Sequence, residues 1–209
     1  LDLTHSAAAV QGFGNVGSAS ARFLAELGVR VVAVSDVHGA VRNLQGLDVP
    51  ELLRHTRAGG AVSEFPEGEA CDRESIFAED VDILVPAALE NAITAENADS
   101  IKARLIAEGA NGPTTIEGAH ILRSKGKTVL PDILCNAGGV TVSYFEWVQN
   151  RQEFYWDEAK VDEELKRLMV RSCRQVFAEA QRHDCCLREA AYRIAISRVA
   201  EAAVGRGVQ

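Results

Sequence analysis

A chain of 209 residues, 47% of them apolar, can bury a full core without a partner, so one large domain, or one with an added helical layer, is expected. Its 30 acidic and 22 basic residues, with no long basic run, exclude nucleic acid as a partner, and no apolar stretch reaches the roughly 18 to 20 residues of a membrane span. Five cysteines, with Cys185 and Cys186 adjacent and no Cys-x-x-Cys pair, give neither a disulfide framework nor a metal site; reduced thiols and a cytoplasmic location are expected.

Apolar runs bounded by turn residues predict strands over residues 7–10, 29–34, 81–85, 105–107 and 128–130. Between the first two, Val16, Ser20, Phe23, Leu24 and Leu27 recur at helical spacing, and Gly28 closes that helix. Strand and helix alternate, which calls for right-handed crossovers and a mostly parallel, doubly wound sheet covered on both faces. After Pro131 the strand signal ends. Residues 136–150, 158–183 and 187–204 read as helices, with Val161, Leu165, Leu168, Met169, Val176, Phe177 and Ala180 at helical spacing. The opening Leu1-Asp2-Leu3-Thr4-His5 reads as a boundary or an irregular first turn.

Gly12-Phe13-Gly14-Asn15-Val16-Gly17 fits the G-x-G-x-x-G pattern, and its place between a strand and a helix strengthens that match. Gly12 then makes the tight turn, Gly14 lets a pyrophosphate approach the backbone, and Gly17 allows close helix packing, with free N–H groups facing the phosphates. Asp36 stands at the end of the second strand, about 20 residues beyond the last glycine, where an acid accepts hydrogen bonds from the adenosine ribose. A carboxylate there repels a ribose 2′-phosphate. NAD is therefore the expected cofactor, with NADP possible where neighbouring side chains override Asp36.

Ligands of open parallel sheets bind outside the carboxyl ends of the strands. Three such ends combine small residues with an asparagine: Ala87, Ala88 and Asn91 after the third predicted strand, Ala110 and Asn111 after the fourth, and Asn136 after the fifth. Small residues let a flat ring lie against backbone, and an amide both donates and accepts. Turn formation alone also explains Asn and Gly in such places.

With those residues in place, the segments 12–17, 86–91, 108–115 and 136–147 resemble, in order, the cofactor domain of the glutamate, leucine, phenylalanine and valine dehydrogenases. The resemblance implies a Rossmann-type dinucleotide-binding domain over residues 1–209, with a core to about 150 and C-terminal helices from about 157 to 205. It implies oxidative deamination of an L-amino acid, or its reverse, by hydride transfer at nicotinamide C4. It places Phe13, Asn15 and Val16 in the phosphate loop and Asp36 on the adenosine ribose. Ala87, Ala88, Ala110, Asn111 and Asn136 fall around the nicotinamide half, and Asn91 is grouped with them as cofactor-binding. Val140 and Ser143 match the two positions by which the family's cofactor domain touches the substrate side chain. A serine at 143 resembles the glutamate enzymes, so L-glutamate and 2-oxoglutarate are the expected substrate pair, although Ser143 is also an ordinary hydroxyl near a helix start.

Family members carry a preceding domain with a glycine-flanked catalytic lysine and assemble typically as hexamers. No such lysine segment occurs in these 209 residues, and Lys125, in Ser124-Lys125-Gly126, reads as a solvated turn residue. No catalytic residue is assigned, and cofactor binding without turnover is the expectation for this chain alone. Cys173, Cys185 and Cys186 are read on helices with no histidine beside them, which favours structural thiols over a nucleophile. A stand-alone NAD-binding regulatory module, or a leucine, phenylalanine or valine dehydrogenase, are the competing readings.

Overall fold

A computed structural model describes residues 2–207; Leu1, Val208 and Gln209 lie outside the described residues. The chain divides into two compact units, Leu1–Asp132 and Ile133–Gln209.

The first unit is a seven-stranded sheet. In chain order it contains β1 (Ala7–Gln11), α1 (Asn15–Glu26), β2 (Arg30–Ser35), β3 (Ala40–Arg42), α2 (Val49–Arg57), β4 (Glu69–Cys71), β5 (Ile83–Pro86), β6 (Leu105–Ala107), α3 (Ile116–Ser124) and β7 (Thr128–Leu130). The strands lie in the order β4-β3-β2-β1-β5-β6-β7. β1 pairs in parallel with β2 and β5, and β6 in parallel with β5 and β7. The doubly wound, mostly parallel architecture expected from the alternation is present.

β1 shows why the middle of this sheet reads as an unbroken apolar run. Ala7 and Ala9 pack on one face with Ile76, Phe77 and Ile106, while Ala8 and Val10 pack on the other with Ala21, Val34 and Leu52. A strand buried on both faces has no polar side to alternate with. The strand order reverses at β1, which has β2 on one flank and β5 on the other. A ligand crevice opens at such a switch point, outside the carboxyl ends of the strands.

Two strands add to the five expected. β3 and β4 are three residues each and pair antiparallel, β3 with β2 and β4 with β3. Three residues give no readable period, and the Glu69-Ala70-Cys71 strand has two exposed residues on an edge. Their hydrogen bonds come from partners distant in sequence. The chain's opening forms a short 3-10 turn over Leu3–His5, with the Asp2 carboxylate accepting from Thr4 N–H.

The second unit is helical: α4 (Asp132–Cys135) leads into it, followed by α5 (Ala137–Gln152), α6 (Glu158–His183) and α7 (Leu187–Gly205). Asp157 caps α6 through Lys160 N–H at 2.8 Å. Phe145 of α5 meets Trp156 at 5.4 Å between ring centroids, and buried Gln149 accepts from Trp156 N–H at 2.6 Å. These contacts join α5 to the helices after it. The division between the two compact units falls at Asp132.

Leu134, Val176, Ala190 and Ala191 form this unit's core, with Cys173 and Cys185 packed against it. Cys173 lies on α6 as read, but Cys185 and Cys186 are in the connection between α6 and α7, with Cys186 as the N-cap of α7. That corrects their placement on helices. The break itself falls between the two helices read from the sequence, where Asp184, not a glycine, takes the left-handed conformation that ends α6. No helix among the described residues is long and apolar enough to cross a membrane.

Candidate dinucleotide site

The loop after β1 uses its three glycines differently. Gly12 has φ +92, and a Cβ there would stand 2.8 Å from Ala88 Cβ and 3.1 Å from the Ala87 carbonyl carbon. Gly17 lies in the first turn of α1, where a Cβ would run into the Gly12 carbonyl. Gly14 has nothing within 4 Å of the place its Cβ would occupy. The first two glycines are required by the fold, whereas the third faces open space.

Gly14 is also the N-cap of α1 and supplies no side-chain hydrogen bond to the helix. The first intrahelical bond is Ser18 N–H to Gly14 O at 2.9 Å, so the N–H groups of Asn15, Val16 and Gly17 have no partner within the helix. α2 and α3, by contrast, are capped by the Asp48 and Thr115 side chains. An uncapped N-terminus beside an open glycine presents donors and the positive end of a helix dipole to an anion, and these residues fit a pyrophosphate. Asn15 and Val16 are exposed there, and Phe13 is half-buried.

Hydrogen bonds between strand ends hold the neighbouring loops. Ala87 N–H donates to Gln11 O at 2.8 Å, and Gly109 and Ala110 N–H both donate to Pro86 O at 3.0 Å. At Gly109 a Cβ would meet Val16 Cγ1 at 3.2 Å and Ala87 Cβ at 3.3 Å. Phosphate loop, β5 end and β6 end thus come together, bringing Gly12, Val16, Ala87, Ala88 and Ala110 into one neighbourhood. Asn91 and Asn111 are exposed, and Asn91 has φ 54 with its N–H on Gly112 O at 2.8 Å. A left-handed backbone is itself a reason for asparagine at that position.

Two carboxylates not assigned from the sequence brace this edge. Fully buried Glu108 accepts from Asp132 N–H through Oε2 at 2.8 Å, and Asp132 Oδ2 accepts from Gly112 N–H at 2.8 Å. Acids directly after β6 and β7 were the available signal, but their pairing joins residues 24 and 20 positions apart.

Asp36 follows β2 and is half-buried. Its Oδ1 accepts from His38 N–H at 2.7 Å and Gly39 N–H at 3.1 Å, and its Oδ2 accepts from Val62 N–H at 3.0 Å. A carboxylate offers about four acceptor positions, so three backbone donors orient it and leave room for another. It lines a cavity of about 650 Å³ together with Phe13, His38, Thr56, Ser63 and Glu64. The sequence reading missed the last four. His38 belongs to the turn that follows Asp36, whereas Thr56, Ser63 and Glu64 arrive because β3 and β4 fold the chain back beside Asp36, a non-local event with no motif.

In the helical unit, Asn136 is the N-cap of α5. Val140 is 71% exposed, and Ser143 is exposed with its hydroxyl donating to Gly139 O at 3.2 Å. Exposed Tyr144 and Trp147 stack on the same helix, centroids 5.9 Å apart.

The family profile of glutamate/leucine/phenylalanine/valine dehydrogenase matches residues 1–207. This chain belongs to that family. It is 50% identical to the glutamate dehydrogenase of Thermotoga maritima over 209 residues, all of this chain and 50% of that protein. Among solved structures, the hetero-hexameric glutamate dehydrogenase of Thermus thermophilus in its leucine-bound form is similar, with TM-score 0.94 and 35% identity over 100% of this chain and 49% of that one. The glutamate dehydrogenase of Peptoniphilus asaccharolyticus gives TM-score 0.81 and 40% identity over 97% of this chain and 47% of that one. The chain therefore spans about half the length of the relatives it matches.

Members of this dehydrogenase family act on amino acids with NAD(P). The side chains open to other chemistry have structural surroundings here. Lys125 caps α3 and holds Asp99, with Nζ 2.7 Å from Oδ1 and 2.5 Å from the carbonyl. No cysteine among the described residues is in a disulfide, and burial, reinforced by Glu189, pushes the Cys185 thiol up. No group of three or more His, Cys, Asp or Glu among the described residues is arranged to hold a metal.

Proposed function

We propose that this chain is the dinucleotide-binding portion of an NAD-preferring glutamate dehydrogenase. One observation carries the reading: the Gly12 to Gly17 loop joins an uncapped helix N-terminus to a glycine whose missing Cβ faces open space. The N–H groups of Asn15, Val16 and Gly17 would hold the pyrophosphate, with Phe13 and Asp36 beside the adenosine half. Ala87, Ala88, Ala110, Asn111 and Asn136 are assigned to the nicotinamide half by the family resemblance, and Asn91 is grouped with them as cofactor-binding. Asp36 and Glu64, two acids on one cavity wall, favour NAD because a 2′-phosphate would approach negative charge in a partly desolvated space.

When bound, the nicotinamide ring supplies the hydride acceptor at C4. This chain's part is to bind and orient the ring and to exclude water from the face where the substrate α-carbon approaches. Val140 and Ser143 are the proposed contacts to the substrate side chain, with the Ser143 hydroxyl donating to the distal carboxylate of L-glutamate. Proton transfer needs a group from the remainder of the enzyme, a second domain, and a hexamer is the proposed full assembly. Turnover by the 209-residue chain alone is expected to be absent.

Titration calorimetry with NAD and NADP tests the reading. NAD should bind more tightly than NADP, and Gly14→Val should abolish binding without loss of fold, because nothing in the protein occupies that space. Undiminished NAD affinity in folded Gly14→Val would reject the loop as the phosphate site.

A further inference from the structure

We infer that His55 is a positioning residue for the acidic corner of the dinucleotide site, its imidazole holding the 59–64 segment in the conformation that orients the Asp36 carboxylate. This rests on the dinucleotide reading above and adds a side chain that does not itself line the cavity.

His55 is half-buried near the end of α2. Its Nε2 is 2.9 Å from the Ala61 carbonyl, and a carbonyl only accepts, so Nε2 carries the proton in this pair. Buried Phe65 stands edge-on to the same ring, centroids 5.7 Å apart at 65°. Gly60 donates its N–H to the His55 carbonyl at 3.2 Å, and a Cβ on Gly60 would run into the imidazole. The ring is thus seated between an aromatic edge, a glycine that makes room for it and the carbonyl it holds.

The segment it holds is the one that reaches Asp36. The peptide that offers the Ala61 carbonyl to His55 offers its own N–H, that of Val62, to Asp36 Oδ2 at 3.0 Å. One peptide plane therefore connects the two side chains. The other two donors to Asp36 come from the turn that follows it, His38 and Gly39, and both reach Oδ1. Among the described residues, Val62 N–H donates to Oδ2 and ties that oxygen to the far side of the cavity. Glu64 moves with the same segment, because its carboxylate accepts from Ala61 N–H at 3.0 Å. Without the imidazole, the Ala61 carbonyl keeps only the local hydrogen bond from Glu64 N–H at 3.0 Å, the 61–64 turn loses its tie to α2, and the Val62 donor to Oδ2 and the Glu64 carboxylate shift together. The cost falls on binding, since a ligand must then order groups that were ordered beforehand.

The effect is selective. Orienting Asp36 matters for accepting ribose hydroxyls and for opposing a 2′-phosphate, so NAD and NADP respond differently. The test is titration calorimetry of NAD and NADP with the protein and with His55→Leu, His55→Gln, Gly60→Ala and Asp36→Ser. His55→Leu is expected to weaken NAD on the order of tenfold, the worth of about one hydrogen bond to a charged group, and NADP much less, so that the preference narrows. His55→Gln keeps an N–H donor and should restore most of the preference. Gly60→Ala displaces the ring while leaving His55 in place, and should narrow the preference as His55→Leu does; it carries the test if His55→Leu does not fold. An unchanged NAD to NADP ratio in either folded variant, or an equal loss of both cofactors, while Asp36→Ser shifts the ratio, overturns the role of His55 and leaves the dinucleotide reading standing. If the unsubstituted protein binds neither cofactor, that reading falls and the inference with it.

Discussion

The sheet unit buries its apolar residues on both faces, whereas the helical unit leaves most of its large ones in solvent. β1 contributes Ala8, Ala9 and Val10 at 0% exposure, and Leu52, Ile93, Ile106 and Leu122 are equally closed. In the helical unit Val140, Tyr144, Trp147, Phe154, Tyr155 and Ile196 are each more than half exposed. The difference follows from where backbone groups find partners. A strand depends on neighbours brought from elsewhere in the chain and so is surrounded, while a helix satisfies its own N–H and C=O groups and stands with one face covered. Sensitivity to substitution should divide in the same way.

The largest effect is expected inside the sheet. Ile106→Ala removes a fully buried side chain and should cost about 2–5 kcal/mol, read as a lower midpoint in urea unfolding. A loss below about 1 kcal/mol would mean that the cavity collapses and that the sheet core is less tightly packed than described. Next is Gly17→Ala, where the added methyl meets the Gly12 carbonyl rather than a movable side chain. Overpacking against backbone should cost about 1–3 kcal/mol and should also weaken NAD, since the loop must shift. Stability and affinity measured on the same sample separate the two losses.

The helical unit should answer weakly. Trp147→Ala, at a position 57% exposed, is expected to change stability by less than about 1 kcal/mol despite the size of the side chain. A loss like that of Ile106→Ala would break the contrast between the units. Ser143→Ala should be smaller still in thermal unfolding, within about 0.5 kcal/mol, because its hydroxyl only bonds the Gly139 carbonyl of its own helix. Its consequence belongs in substrate choice: the complete enzyme should lose efficiency toward glutamate more than toward an apolar amino acid. The smallest effect is a rate. A raised pKa lowers the thiolate fraction at any given pH, so Cys185 should alkylate slowly at neutral pH and speed up only in the alkaline range. Mass spectrometry of iodoacetamide-treated protein follows it, and labelling at pH 7 as fast as a free thiol peptide would show the α6–α7 connection to be open.

The sequence by itself determined what depends on near neighbours along the chain. The Gly12 to Gly17 loop was legible because a turn, an N-cap and a first helical turn are set by residues within one or two turns of each other, and the structure gives Gly12 and Gly17 separate steric reasons. The long helix α6 was legible because apolar periodicity accumulates over its length. The family resemblance was legible in the ordered strand ends. Tertiary structure alone decided β3 and β4, too short to carry a period, and with them the corner around Asp36. There the donor from Val62 lies 26 residues away, and Glu108 meets Asp132 across 24. It also decided that α5 packs on the segment leading into α6, through Phe145, Gln149 and Trp156. The physical reason is common to these cases: a hydrogen bond or ring contact between distant residues leaves no periodic trace in either segment, because each partner satisfies its local rules equally well without the other.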